Sequence, residues 1–131
     1  MRALDIMQKG VMTVSPELSV ADLEEFLTIE DISGVPVTGP AGQVLGIVSK
    51  TDIVRTLSET AHQRSELLEP NLTAGDIMTK ETVTVSPDDD VREVAQRMID
   101  GHLHRVIVTS SKDVLGIITT FDLLKLMTRE V

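Results

Sequence analysis

The chain has 131 residues, a formal net charge of −9 and no Cys. Its length fits one compact domain, and its 41% share of hydrophobic residues is ordinary for a globular protein. Aromatic residues make up only 2% of the chain, so bases would find few stacking partners and the net charge would repel phosphates. These properties disfavour nucleic-acid binding, and the lack of Cys excludes disulfides and thiolate chemistry.

Hydropathy gives no sign of a membrane partner. No apolar run approaches the roughly 20 residues that span a bilayer. The first residues lack the basic-then-apolar order of a signal peptide. We therefore expect a soluble protein of the cytoplasm.

The first half of the chain predicts the order strand, helix, strand, strand, helix. Extended runs bounded by Gly and Pro predict the strands, apolar residues at helical spacing predict the helices, and Ser19 to Asp22 forms a capping box. The second helix is expected to turn Ile53, Val54 and Leu57 toward the core. A similar helix near the end of the chain is expected to turn Leu123, Leu124 and Met127 inward. These five elements are predicted at residues 10–14, 20–29, 34–37, 44–48 and from about residue 49 onward.

The same motifs return about 70 residues later. Asp5-Ile6-Met7 returns as Asp76-Ile77-Met78, and the stretch from Leu45 to Asp52 returns as Leu115 to Asp122. The chain is therefore an internal repeat, with repeat 1 at 1–60, a linker at 61–73 and repeat 2 at 74–131. Each half alone could bury little surface, so we expect the halves to pack together.

These motifs resemble the CBS domain in tandem. They are Asp-Ile-Met, Val14-Ser15-Pro16, Gly34-Val35-Pro36-Val37, and Leu45-Gly46-Ile47-Val48-Ser49 with an Asp three residues on, each of them repeated in whole or in part. The resemblance covers nearly the whole chain. It implies a Bateman module of α/β (α+β) class, in which two β-α-β-β-α repeats pack about a pseudo-two-fold axis.

The resemblance also implies a function. Such modules bind adenosine-containing ligands in clefts between their repeats, here AMP, ADP or ATP, with S-adenosylmethionine or NAD possible. They commonly form homodimers and regulate an effector protein, whose identity the sequence leaves open.

Two polar segments lie where a strand passes into a helix, Ser49 to Asp52 and Thr119 to Asp122. Helix capping alone would explain them, because a Ser or Thr followed three residues later by Asp starts many helices. A helix start also attracts phosphate, and a carboxylate can accept two hydrogen bonds from a ribose diol. By the resemblance, the ribose and phosphate residues are Ser49, Thr51, Asp52, Thr119, Phe121 and Asp122.

The two copies differ at two places. Phe121 stands in place of the Thr51 hydroxyl. It either packs against the base or sugar or fills space in the interior, and filling space is the expectation because buried aromatic side chains mostly belong to cores. His104-Arg105 stands where the first repeat has Ser33-Gly34, and it resembles the His-Arg pair that contacts phosphates in a nucleotide-sensing relative of the family. A surface salt bridge is the alternative for Arg105. His102 and His104 lack a third ligand at recognisable spacing, so no metal site is expected.

The resemblance places the adenine against the first strand and the hairpin of each repeat. Backbone groups would read the base edge while Val and Ile side chains cover its faces. By spacing alone, these are ordinary strand residues. The adenine set is Thr13, Val14, Ser15, Pro36 and Val37 in one cleft, and Thr84, Val85, Ser86, Ile107 and Val108 in the other.

Three classes of function compete. The first is a regulatory module that binds an adenine nucleotide. The alternative is a structural oligomerisation or protein-interaction module with no bound nucleotide. An enzyme is not expected, because the chain has no Cys nucleophile, no P-loop and no H-E-x-x-H zinc pattern. The two clefts should be unequal, since the first repeat has more hydroxyls and the second has the cation.

Overall fold

The computed structural model describes residues 1–59, 72–80, 82–111 and 113–128. Of the predicted linker, only Leu72 and Thr73 fall within these ranges. The mixture of helices and small sheets is the α+β fold that the sequence predicts. In chain order the elements are α1 (Ala3–Ile6), α2 (Val20–Ile29), β1 (Gly34–Thr38), β2 (Val44–Ser49), α3 (Lys50–Glu59), α4 (Ala74–Ile77), β3 (Thr84–Val85), α5 (Val91–Asp100), β4 (Arg105–Ser110), β5 (Asp113–Thr119) and α6 (Thr120–Leu126).

The chain forms two compact units that do not follow the order of the repeats. One unit comprises Met12–Thr82, and we call it the contiguous unit. The other combines Met1–Val11 with Val83–Val131, and we call it the split unit. Each Asp-Ile-Met segment therefore folds with the strands of the opposite repeat.

The contiguous unit is built on a β-hairpin. Strands β1 and β2 pair antiparallel from Gly34 opposite Ser49 to Thr38 opposite Val44, with an irregularity between Val37 and Thr38. The predicted first strand is reduced to a single parallel bridge from Val14 to Val37, and Gly10, where that strand was predicted to begin, has a φ of 67° outside the extended region. Leu23, Leu27, Val35, Val37 and Val48 form the centre of its apolar core.

The split unit has a three-stranded sheet. Strand β3 pairs parallel with β4, and β4 pairs antiparallel with β5 from Arg105 opposite Thr119 to Ser110 opposite Asp113. The irregularity between Val108 and Thr109 stands at the same place in the repeat as the one in β1. Its core includes Val94, Val106, Val108 and Ile118.

The start of α2 confirms Ser19 as an N-cap, while only the Ser19 half of the predicted capping box is present among the described contacts. The Ser19 side chain accepts a hydrogen bond from the Asp22 amide at 3.1 Å, and the Asp90 side chain accepts one from the Arg92 amide at 2.8 Å. Each cap satisfies an N–H group that would otherwise have no partner within the helix.

The predicted inner face of the second helix in each repeat is partly wrong. Ile53 is buried, but Val54 is 59% exposed, Leu124 63% and Met127 84%. A helix advances 100° per residue, so a residue next to a buried one turns away from the core. The Leu57 side chain lies outside the described part of the chain.

The two Asp-Ile-Met segments with the residue that follows each, Asp5 to Gln8 and Asp76 to Thr79, are called the exchanged segments. Each adds an edge contact to the hairpin of its unit. The Gln8 amide donates to the Ile117 carbonyl at 2.8 Å, and the Ile117 amide donates back at 3.1 Å. Thr79 and Ile47 make the same reciprocal pair at 2.8 and 3.0 Å. Met7 and Met78 follow their short helices and pack against the cores.

Glycine is required beside both contacts. A Cβ on Gly116 would lie 2.6 Å from the Gln8 carbonyl oxygen, and one on Gly46 would lie 2.6 Å from the Thr79 carbonyl oxygen. The nearest Met sulfur would stand 2.8 Å away in both cases. The backbone of the exchanged segment can come this close only where the strand has no side chain.

We expect Gly46→Ala and Gly116→Ala each to lower the free energy of unfolding by about 1–3 kcal/mol, because the added methyl group meets backbone that must shift. Urea unfolding followed by far-UV circular dichroism suits a chain without Trp or Tyr. Glu25→Ala, on the exposed face of α2, is the control and should change little. Unchanged unfolding midpoints in both glycine variants would contradict the close approach.

Candidate functional site

The first candidate centre lies where β2 passes into α3, around the buried carboxylate of Asp52. Its Oδ2 atom accepts hydrogen bonds from the Ser49 amide at 2.8 Å and from the Ser49 hydroxyl at 3.0 Å. The Ser49 hydroxyl accepts in turn from the Asp52 amide at 3.3 Å. The capping interpretation is therefore correct, and it uses one oxygen of the carboxylate.

Asp122 repeats this geometry where β5 passes into α6. Its Oδ2 atom accepts from the Thr119 amide at 2.8 Å and from the Thr119 hydroxyl at 3.0 Å, while the Asp122 amide donates to that hydroxyl at 3.2 Å. Asp52 is 4% exposed and Asp122 7%. In both units the helix cap holds Oδ2, so Oδ1 is the oxygen that is left to meet other groups.

Three residues that contact these Oδ1 atoms were not predicted from the sequence. The Thr79 hydroxyl donates to Asp52 Oδ1 at 3.3 Å, and the Arg55 guanidinium forms an ion pair with the same atom. The side-chain amide of Gln8 donates to Asp122, and its nitrogen lies 3.2 Å from each of the two carboxylate oxygens. Each carboxylate is therefore covered by a side chain from the exchanged segment of its unit.

The repeat did contain a signal for these contacts. Gln8 follows Met7 as Thr79 follows Met78, so the two residues occupy one position of the repeat. Arg55 stands three residues after Asp52, and Lys125 stands three residues after Asp122. Side chains three apart are neighbours on a helix surface, which makes a cation at this spacing a candidate partner for the carboxylate.

Phe121 does not fill the interior, so that prediction is wrong. Its side chain is 63% exposed, and the Lys125 ammonium lies 4.9 Å from the centre of its ring. This is cation–π distance. Phe121 therefore lies on the outer face of α6, although the next residue, Asp122, is buried. Thr51, at the same position of the first repeat, is exposed as well.

His104 and Arg105 lie at the same corner as Thr119 and Asp122. Arg105 stands opposite Thr119 in the sheet, and the His104 carbonyl accepts from the Thr120 amide at 3.0 Å. His104 is exposed and Arg105 is half-buried. The phosphate role of this pair stays a prediction.

His102 serves the end of α5. It has a φ of 52°, and the following Leu103 amide donates to the Met98 carbonyl at 2.8 Å, which closes the helix in the manner of a Schellman motif. Within the described ranges, no three metal-ligating side chains come together.

Strand pairing brings together the core members of each predicted adenine set. The Val14 amide donates to the Pro36 carbonyl at 3.0 Å in the contiguous unit. Thr84 and Val85 stand opposite Ile107 and Val108 in the split unit. The four valines of the sets, Val14, Val37, Val85 and Val108, belong to the cores, and Pro36 and Ile107 are buried too.

This burial changes what the adenine sets can offer a ligand. The valine side chains pack in the core of their own unit, so they do not project from the surface to cover the faces of a base. The exposed side chains at the strand ends remain accessible. Those exposed members are Thr13, Ser15, Thr84 and Ser86.

An apolar groove of about 650 Å³ lies in the split unit between α5 and α6. Ile99, Leu123 and Leu124 line it, together with His102 and His104. Of the predicted ligand residues only His104 is among its lining residues, so the groove is separate from the Asp122 carboxylate. No helix in the described part of the chain is long and apolar enough to cross a membrane.

Comparison with known proteins gives a consistent result. The model of the CBS domain family matches residues 3–59 and again residues 74–129. The fold is similar to the CBS domain pair of protein MJ0100, solved in complex with 5′-methylthioadenosine and S-adenosyl-L-methionine. The TM-score is 0.85 at 25% identity, and the match covers 98% of this chain and 96% of the other.

Two curated relatives come from Methanocaldococcus jannaschii. An uncharacterised protein is 25% identical over 124 residues, which are 94% of this chain and 41% of the relative. An inosine-5′-monophosphate dehydrogenase is 28% identical over 125 residues, 95% of this chain and 23% of the enzyme. The chain thus spans less than half the length of either relative.

We expect Thr119→Ala to lower the free energy of unfolding by about 1 kcal/mol, because it removes the N-cap of α6 and one hydrogen bond to Asp122. Ser49→Ala should have a similar effect at α3. Thr51→Ala is the matched control, since that hydroxyl is exposed and caps nothing in the described contacts. Equal unfolding midpoints for Thr119→Ala and Thr51→Ala in urea would contradict the capping role.

Proposed function

Because the chain belongs to the CBS domain family, whose domain it carries twice, we propose that it is a regulatory module that binds adenosine-containing ligands at its repeats. One observation carries the proposal. Two buried carboxylates, Asp52 and Asp122, are held in one geometry by their helix caps through Oδ2, and Oδ1 contacts side chains outside the cap that a ligand can displace. In this proposal Oδ1 accepts hydrogen bonds from the ribose hydroxyls, and Ser49, Thr51 and Thr119 supply hydroxyls nearby.

The ligand class is supported by the similarity to the MJ0100 domain pair. Both ligands in that complex contain adenosine, which is the part that a ribose-binding carboxylate would recognise. AMP, ADP and ATP share the same part, and S-adenosylmethionine and NAD do too. We propose adenine nucleotides as the first class to test, with His104 and Arg105 contacting phosphate in the split unit.

The proposed role is binding without catalysis, in the cytoplasm. The matched dehydrogenase does not argue for an enzyme, since this chain corresponds to 23% of its length. A bound ligand regulates only if it binds one arrangement of the protein better than another. We propose that it changes the packing of the module or its contact with an effector protein.

A homodimer is part of the proposal. Val54 and Leu124 occupy the same position of the two repeats, and both are strongly exposed apolar side chains. Leu124 also lines the apolar groove, and exposed apolar side chains favour association with another protein surface. The same observation supports the second candidate function, an assembly module that needs no nucleotide.

We expect Asp52→Asn and Asp122→Asn each to weaken adenosine binding at one site by roughly tenfold or more, because the amide replaces a charged acceptor with a group that also donates. Isothermal titration with AMP and with adenosine measures this. Asp113→Asn, an exposed strand residue, is the control and should bind as the wild type does. Wild-type affinity in both site variants would rule out the ribose role.

Native mass spectrometry should show a dimer, and Leu124→Asp should shift it toward the monomer, because a charge in an apolar contact is costly to bury. Thr128→Asp adds the same charge just beyond α6, and that variant should stay dimeric. A wild-type monomer at micromolar concentration would contradict the dimer. Dimers that form while no adenosine ligand binds would favour the assembly module.

A further inference from the structure

The cations that follow the two carboxylates are placed differently. In the contiguous unit the Arg55 guanidinium is paired with Asp52 Oδ1, which also accepts from Thr79. A carboxylate oxygen has two lone pairs, and these two donors use both. A ribose hydroxyl can therefore reach Oδ1 only by displacing one of them.

In the split unit the corresponding cation is held elsewhere. Lys125 lies over the Phe121 ring, and within the described residues no Lys or Arg lies within ion-pair distance of Asp122. Gln8 donates to Asp122 Oδ1 from its side chain. The difference has a cause in the sequence, since Phe121 can attract a cation four residues later and Thr51 cannot.

We propose that Arg55 is a specificity-determining residue that makes the contiguous unit prefer adenosine ligands carrying a phosphate. The proposal rests on the function proposed above, with ribose hydroxyls at Asp52. When ribose takes Oδ1, the guanidinium loses its partner, and a phosphate on the same ligand replaces the lost carboxylate. A ligand without an anionic group leaves Arg55 with water alone and must still break the ion pair.

The position of Arg55 suits such an exchange. Its side chain is 52% exposed, whereas that of Asp52 is 6% exposed, so the guanidinium can move while the carboxylate stays in its cap. Arginine keeps its charge and binds phosphate oxygens with two parallel donors. The Ser49 amide and the Ser49 hydroxyl hold the carboxylate through Oδ2 in either state.

The test isolates the contiguous site by placing Arg55 variants in an Asp122→Asn background. AMP and adenosine affinities are measured by titration calorimetry, and their ratio is the readout. Arg55→Gln should reduce the preference for AMP by about tenfold, through weaker AMP binding together with equal or tighter adenosine binding. Arg55→Lys keeps the charge and loses the planar fork, so it should reduce the preference by a smaller factor.

The matched control is Lys125→Gln in an Asp52→Asn background. Because Lys125 rests on Phe121, its removal should change the AMP-to-adenosine ratio by less than about twofold. Circular dichroism establishes that each variant is folded. If Arg55→Gln does not fold, Arg55→Lys decides the question, and an unchanged ratio in that variant overturns the proposal.

The outcomes separate this proposal from the proposed function. If both ligands bind and require Asp52, yet Arg55→Gln leaves the ratio unchanged, the specificity role is wrong and the adenosine-binding function stands. An equal change caused by Lys125→Gln would also overturn the specificity role. If the wild-type chain binds neither AMP nor adenosine at millimolar concentration, both proposals fail.

Discussion

The backbone contact between each hairpin and the exchanged segment is the constraint on which the rest of the structure depends. The backbone of Gln8 pairs with Ile117, and that of Thr79 pairs with Ile47. In each hairpin a neighbouring glycine has no side chain, which lets the exchanged segment come close to the strand. The same contact sets Gln8 beside Asp122 and Thr79 beside Asp52. One packing requirement therefore shapes both the fold and the surroundings of the candidate ligand sites.

Much of the architecture could be predicted because duplication shows the same local chemistry twice. The hairpins, the helix starts and the capping of Asp52 and Asp122 follow from spacing and residue type over a few positions. The partners of Oδ1 could not be predicted in this way. Gln8 and Asp122 are 114 residues apart, and hydrophobic spacing reports which face is covered without saying which segment covers it. The exposure of Phe121 could not be predicted for a related reason, because residue type alone does not determine whether a helix position faces the core or the solvent.

The two repeats agree in backbone and differ in electrostatics. Both units form the same cap, the same strand irregularity and the same glycine contact. They differ in where a cation rests, on a carboxylate in one and on an aromatic ring in the other. A duplicated scaffold can thus place a cation differently on the surface of corresponding helices while the positions that hold the fold are kept.

The division of the chain into a contiguous and a split unit also orders its assembly in time. Residues 12–82 contain every segment of one unit, so that unit can fold once they have left the ribosome. Residues 1–11 are made before the contiguous unit, yet their partners on β5 are made after it. The chain between the two parts of the split unit is the whole contiguous unit, and prior folding of that unit shortens the loop to be closed. We therefore expect folding to be sequential, with residues 1–11 buried after the contiguous unit has formed.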